Sequence, residues 1–146
     1  MVIHELADDE CRSVLRRNHL ARIACARRDQ PYVVPIQFDF DGEHLYFFAT
    51  LGQKIIWMRE NPRVCVEVED VEDKFHWCTV LVFGQYEELR GAEHEEAKRH
   101  AQQLFSRRDE WWQPGAARFP GPEHHVPVVF RVRPDRITGR RAARNS

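Results

Sequence analysis

The stretch "ATLGQK", Ala49 to Lys54, gathers a hydroxyl, a glycine, a side-chain amide and an ammonium group into one turn. A strand-like run ends at Ala49-Thr50, and an apparent helix, "KIIWMREN", starts just beyond Gly52. The first amides of a helix lack intrahelical partners, and the helix dipole adds partial positive charge beside them. Such a turn is a natural anion site, with phosphate the obvious guest. Lys54 would add a full positive charge there and Thr50 a hydroxyl donor. Spacing alone supports equally well a turn capped by Thr50 with a solvated Lys54, because a single G-x-K is a weak motif.

The surrounding elements decide whether these groups converge. "LADDECRSVLRRNH" reads as a helix capped by Asp8 or Asp9, with Cys11, Val14 and Leu15 at helical spacing and the sheet edge as the expected packing surface. "LARIACA" is a strand candidate. In "YVVPIQFDF", Val34, Ile36, Phe38 and Phe40 alternate with polar residues and Pro35, the two-residue period of a sheet with distinct faces. Asp41-Gly42 then signals a hairpin into "EHLYFFAT", and Asn61-Pro62 stops the following helix.

"VCVEVED" and "FHWCTVLVFGQYEEL" continue the strands, with Gly84 marking a bulge or a corner. After Gly91 the period becomes helical, and Ala97, Ala101, Leu104 and Phe105 share one face. "QPGAARFPGPEHHVP" reads as a loop, and "VPVVFRVRPDRITGR" as the last strand. The expectation is mainly β with flanking helices: six strands joined mostly by hairpins, which favours an antiparallel barrel over a doubly wound parallel sheet.

A chain of 146 residues fits one domain, 1–146, with a basic tail from about residue 139 expected to be mobile. Twenty-two basic and 23 acidic residues give a net charge of -1, which argues against a nucleic-acid partner held by a broad basic field. No apolar stretch is long enough for a bilayer, so no membrane partner is expected. Cys11, Cys25, Cys65 and Cys78 are widely spaced without a C-x-x-C pair, and Met1 to Glu10 lacks a leader's apolar run. Packed thiols in the cytoplasm are the expectation.

"PYVVPIQFDFDGEHLYFFATLGQKIIWMRENPRVCVEVE", followed by W-x-x-V-x-x-x-G-x-Y-x-x-L from Trp77 to Leu89, resembles the pyridoxamine 5'-phosphate oxidase-related flavoproteins. Within them it is most similar to the nitroimidazole-reductase branch. The resemblance implies an FMN-binding split β-barrel, a homodimer with the cofactor at its interface, and a flavin-dependent oxidoreductase acting on a small molecule. It also implies site residues. Val34, Pro35, Ile36 and Gln37 match the strand whose backbone edges the flavin ring, and Thr50, Gln53 and Lys54 match the phosphate grip. Trp77 and Thr79 match a strand reaching toward the flavin, in many members from the partner subunit. Arg59, or a cation from another strand, is the expected second charge at the phosphate.

Two departures leave the reaction and the catalytic residues unassigned. Phe48 stands where the nitroimidazole-reductase branch carries a histidine, and "FRVRPDRITGRR" lacks the arginine-rich substrate signature of the oxidase proper. A haem- or deazaflavin-binding member of the fold, or a non-enzymatic flavin-binding or sensor protein, remains the alternative. Glu123, His124 and His125 suggest a metal or haem site but read better as a solvated loop. Trp111-Trp112, Trp57 and Met58 read better as packing than as a lid.

Overall fold

The computed structural model describes residues 1–107 and 126–145. The elements run β1 (Val2–Glu5), α1 (Asp8–Arg17), β2 (Leu20–Arg27), β3 (Gln30–Phe40), β4 (Leu45–Thr50), α2 (Gln53–Glu60), β5 (Arg63–Asp73), β6 (His76–Glu88), a 3-10 turn (Ala92–His94), α3 (Glu95–Ser106) and β7 (Pro127–Ala143). All pairings are antiparallel, in the order β1-β7-β4-β3-β2-β5-β6, and β7 also pairs with β6. That last pairing joins the two flanks of the sheet. Strands β2 to β7 thus form a closed six-stranded barrel, as the hairpin order leads one to expect.

Two features of the strands differ from the sequence expectation. β1 is an additional strand, paired with the end of β7 from Val2↔Ala143 to Glu5↔Arg140 and exposed at every residue. The residues from 139 onward are held in β7 through Ala143 rather than forming a free tail, because β1 flanks them on one side and Trp77 to Val80 of β6 on the other.

Alternation explains the core. The even residues Ile36, Phe38 and Phe40 of β3 point inward, as do Val64, Val66 and Val68 of β5 and Val80 and Val82 of β6. Phe47 and Phe130 stack inside, with ring centroids 4.7 Å apart. Helix α1 turns Cys11, Val14 and Leu15 into this same core. It therefore plugs an end of the barrel instead of lining a sheet edge. Its N-cap is Ala7, and Glu10 Oε1 accepts the Ala7 amide at 2.9 Å, so neither Asp8 nor Asp9 is the cap.

Helix α3 lies outside the barrel. Ala101 and Phe105, with Ala97 and Leu104 beside them, cover Tyr46, Leu89 and Val129 in a second apolar cluster. The expected face is the one that packs. Gly84 marks a register shift between β6 and β7, where a Cβ would lie only 2.4 Å from the Arg133 carbonyl. Only glycine permits that approach.

Candidate functional site

The ladder between β3 and β4 is short, running from Phe40↔Leu45 to Phe38↔Phe47. β3 continues backward on β2 and β4 continues forward on β7, so the two strands part and leave a seam. Antiparallel neighbours alternate between hydrogen-bonded and non-bonded pairs. The Phe38 amide donates to His19 O at 2.9 Å, which assigns the even residues of β3 to bonding with β2. Odd residues face the seam. Pro35 occupies one of those positions and has no N–H to offer β4.

The same alternation sorts the β3 candidates. Ile36 is buried and Val34 packs against the core, with their backbone groups committed to β2. Pro35 and Gln37 are exposed and direct their backbone toward the seam. On the opposite lip, the Leu51 amide donates to Val126 O at 2.8 Å, so odd β4 positions bond β7 while Phe48 and Thr50 direct backbone groups toward β3. Resemblance named four consecutive residues; alternation splits them into two that face the seam and two that support it.

At the end of β4, Thr50 leads through Leu51 and Gly52 into α2. Gly52 is its N-cap, no side chain caps the helix, and the first turn holds no acidic residue. Among the described residues, a Cβ on Gly52 would meet only the Thr50 carbonyl, at 3.9 Å, so they leave the space before the helix open. Its φ of -173° is extended, a conformation open to any residue. Gln53 is exposed, whereas Lys54 is half-buried. Burial pushes the Lys54 ammonium below the ordinary lysine range, and the Cys25 thiol is the neighbour that pulls it back up. Among the described residues, no hydrogen bond or ion pair neutralises Lys54.

Arg59 does not serve as the second cation. Its guanidinium grips Glu88 of β6 with Nε 2.7 Å from Oε1 and Nη2 3.0 Å from Oε2, at the far end of α2. The Tyr86 hydroxyl donates to the same carboxylate at 2.7 Å. Sequence reasoning did not find this cluster, because its members are brought together only when α2 folds against β6.

Trp77 and Thr79 lie at the opposite end of β7 from Thr50. They pair with Ala142 and Arg140, whereas Thr50 pairs with Pro127. With Leu81 and Phe83 they belong to the outer face of β6, since Val80 and Val82 point inward. That face continues across neighbouring strands in cross-strand rows. Pro35, Arg22, Glu67 and Leu81 form one, and Val33, Ala24, Cys65 and Phe83 another. The small side chains of Ala24 and Cys65 leave an open groove of about 510 Å³ between Val33 and Leu81. Leu20, Val33 and Val71 on this face are 58%, 60% and 62% exposed.

Phe48 points away from the barrel and meets the Phe105 ring edge-on, with centroids 6.1 Å apart. Nearby, Asp41 Oδ1 accepts the Glu43 and His44 amides, each at 2.8 Å, while His100 Nε2 of α3 lies 2.9 Å from Oδ2. Trp57 packs beside Tyr32 and Met58 is fully buried, so both serve packing. Trp111, Trp112, Glu123, His124 and His125 lie outside the described residues. Among the described residues, no group of three His, Cys, Asp or Glu side chains could hold a metal.

A family model described as "Pyridoxamine 5'-phosphate oxidase" matches residues 7–141. The chain belongs to that family. Among solved members of similar fold is an FAD-binding protein from Mesorhizobium loti, 40% identical, with 98% of this chain and all of that one covered at a TM-score of 0.81. An uncharacterized protein of Rhizobium meliloti (strain 1021) is 38% identical over 149 residues, 97% of each chain. A protein named as a 5-nitroimidazole antibiotic resistance protein of Bacteroides thetaiotaomicron aligns over 96% of this chain and 89% of its own at a TM-score of 0.68. Its 20% identity makes that a likeness of fold.

Proposed function

We propose that this protein binds FMN at the seam between β3 and β4 and acts as a flavin-dependent oxidoreductase on a small molecule. The observation that carries this reading is Lys54: a half-buried ammonium with no carboxylate among the described residues, in the first turn of a helix that no side chain caps. A desolvated cation without a counter-ion is unfavourable by itself. A phosphate dianion beside it supplies the missing charge. Thr50 offers a hydroxyl and Gln53 an amide at the same turn, and the open space before Gly52 admits the phosphate oxygens.

Further along, Pro35 and Gln37 present backbone groups at the lip of the seam, where an isoalloxazine edge needs hydrogen-bond partners. Val34 and Ile36 hold that strand against β2. When bound, the flavin supplies hydride or electron transfer, and the protein contributes position and electrostatics. No side chain at the seam is assigned as a general acid or base.

Trp77 and Thr79 reach a flavin only from a second copy, since their own chain holds them at the far end of β7. The exposed Leu20, Val33 and Val71 offer an apolar contact surface for such a homodimer, and cofactor binding and dimerisation then go together. No nucleic-acid or membrane partner is proposed, and no described helix is long and apolar enough to cross a bilayer. All four thiols are free, which suits the cytoplasm.

The deciding experiment is the visible absorption spectrum of the purified protein before and after adding FMN, with the released ligand weighed by mass spectrometry. A flavin spectrum and the FMN mass support the reading. The FAD mass would replace FMN with the dinucleotide named for the Mesorhizobium loti relative, and a haem spectrum would remove the flavin altogether. Turnover with NAD(P)H and a panel of acceptors then separates an enzyme from a flavin carrier.

A further inference from the structure

Helix α2 spans eight residues, about 12 Å at 1.5 Å per residue. Its inner side is anchored by Ile55 and Met58, both fully buried, with Trp57 packed beside Tyr32. Its C-terminal end is held by polar ties, among them Glu60 Oε2, which lies 3.0 Å from Arg27 Nε of β2. Arg59 makes a two-pronged bond to Glu88, Tyr86 adds a hydroxyl to the same carboxylate, and Arg90 Nε approaches its other oxygen at 3.4 Å. The Asn61 side chain donates to Ala26 O of β2 at 3.0 Å, tying down the following residue.

Glu88 is only 13% exposed, and it is the shared acceptor of three donors from α2, β6 and the chain beyond β6. The Arg59 guanidinium holds its carboxyl below the ordinary glutamate range, while burial and Glu88 push the Tyr86 hydroxyl above the ordinary tyrosine value. A surface ion pair between flexible chains contributes little, but a bidentate arginine fork on a largely buried carboxylate fixes geometry. A tilt of about 10° about the Ile55–Met58 contact would move the N-terminus of α2 by on the order of 1 Å, for a helix of this length. Displacements of that size are enough to spoil a binding geometry.

We propose that Glu88 is a positioning residue for the anion turn: by clamping Arg59 against β6, it sets where the first amides of α2 and Lys54 meet the cofactor phosphate. The inference rests on the flavin reading above, and it specifies which part of the cofactor the clamp controls. The isoalloxazine lies along β3, which the clamp does not touch. Glu88 therefore governs affinity for the phosphate and leaves the ring alone.

The test compares dissociation constants for FMN and riboflavin, which differ only in the phosphate, in wild type, Glu88→Gln and Arg59→Gln. Melting temperatures and circular dichroism are recorded alongside. Both variants should bind FMN about tenfold more weakly, in keeping with the loss of a charge-assisted bond, while riboflavin affinity stays within a factor of two. Arg59 is a surface residue, so its variant keeps the test alive should Glu88→Gln fail to fold. Equal losses for the two flavins, or no loss for either, would reduce the clamp to a support of the barrel and overturn the proposal. A wild type that binds neither flavin would refute the cofactor reading itself, and with it the clamp's role.

Discussion

Phe38 stands opposite Phe47 in the last rung of the β3–β4 ladder, and of the two seam-facing positions before it, Gln37 and Pro35, the second has no donor for β4. Pro35 thus removes one of the bonds by which the ladder could extend along the seam. Pro35→Val would restore an N–H aimed at β4 and favour closure. The bond gained is worth about 1 kcal/mol, and the flexibility returned to the unfolded chain costs about 0.4 to 1 kcal/mol. Urea denaturation should therefore show nearly unchanged stability, while flavin titration shows weaker binding. Tight binding in the variant would mean that the cofactor does not use this opening.

Lys54→Ala removes the unneutralised charge of the α2 turn. FMN affinity should fall by about 1.5 to 3 kcal/mol, the range for a hydrogen bond to a charged group. Stability should not fall with it, because a half-buried ammonium with no partner among the described residues does not favour folding. Fluorescence titration and thermal melts report the two quantities separately. An unaltered FMN affinity would move the phosphate to another part of the molecule.

Val33→Glu places a carboxylate on the outer face, in the groove that Glu67 and Glu69 of neighbouring rows already line while sharing Arg22 at 3.4 and 3.1 Å. Like charges and lost apolar contact should break association between copies. Sedimentation velocity is expected to show a mass shift from dimer to monomer, accompanied by loss of bound flavin. A dimer that survives would place the contact on a different face.

Asp41 links the β3–β4 hairpin to α3. Burial alone would raise its carboxyl, but the Glu43 and His44 amides and the His100 ring outweigh burial and hold it below the ordinary aspartate value. A carboxyl lowered by folding stabilises the native state fully above the unfolded value, and that contribution disappears as pH falls through the folded one. Asp41→Asn should thus cost about 1 to 2 kcal/mol at pH 7. The gap from wild type should narrow in acid, below the ordinary value of 3.8. Urea midpoints at the two pH values measure it.

What the sequence made legible follows from burial on one face. Ile36, Phe38 and Phe40 alternate because one side of β3 meets the core, and Ala97, Ala101, Leu104 and Phe105 share a face because α3 covers only one side of the sheet. β1 carried no such mark, since none of its four residues is buried and only the end of β7 holds it. Arg140 and Arg141 looked like a solvated tail for the same reason: their side chains are exposed while their backbone is paired on both sides. The Glu88 cluster joins residues far apart in sequence, so no local period announces it. Pro35 carried a signal that sequence reasoning did not use: a proline inside a strand must lie where a bond to the neighbour is absent.

Because β7 pairs with β1, β4 and β6, the barrel has no closed form until its final strand exists. During synthesis, the hairpins from β2 to β6 emerge first with their inner valines and phenylalanines facing no opposing wall. Those strands present open edges to other nascent chains until Pro127–Ala143 has cleared the ribosome. Closure is then a single late event of long sequence separation, joining Val2 with Ala143 and Tyr46 with Arg131. The yield of folded protein in a cell accordingly depends on how long the unfinished chain is shielded, and slow translation through the last strand prolongs its exposure.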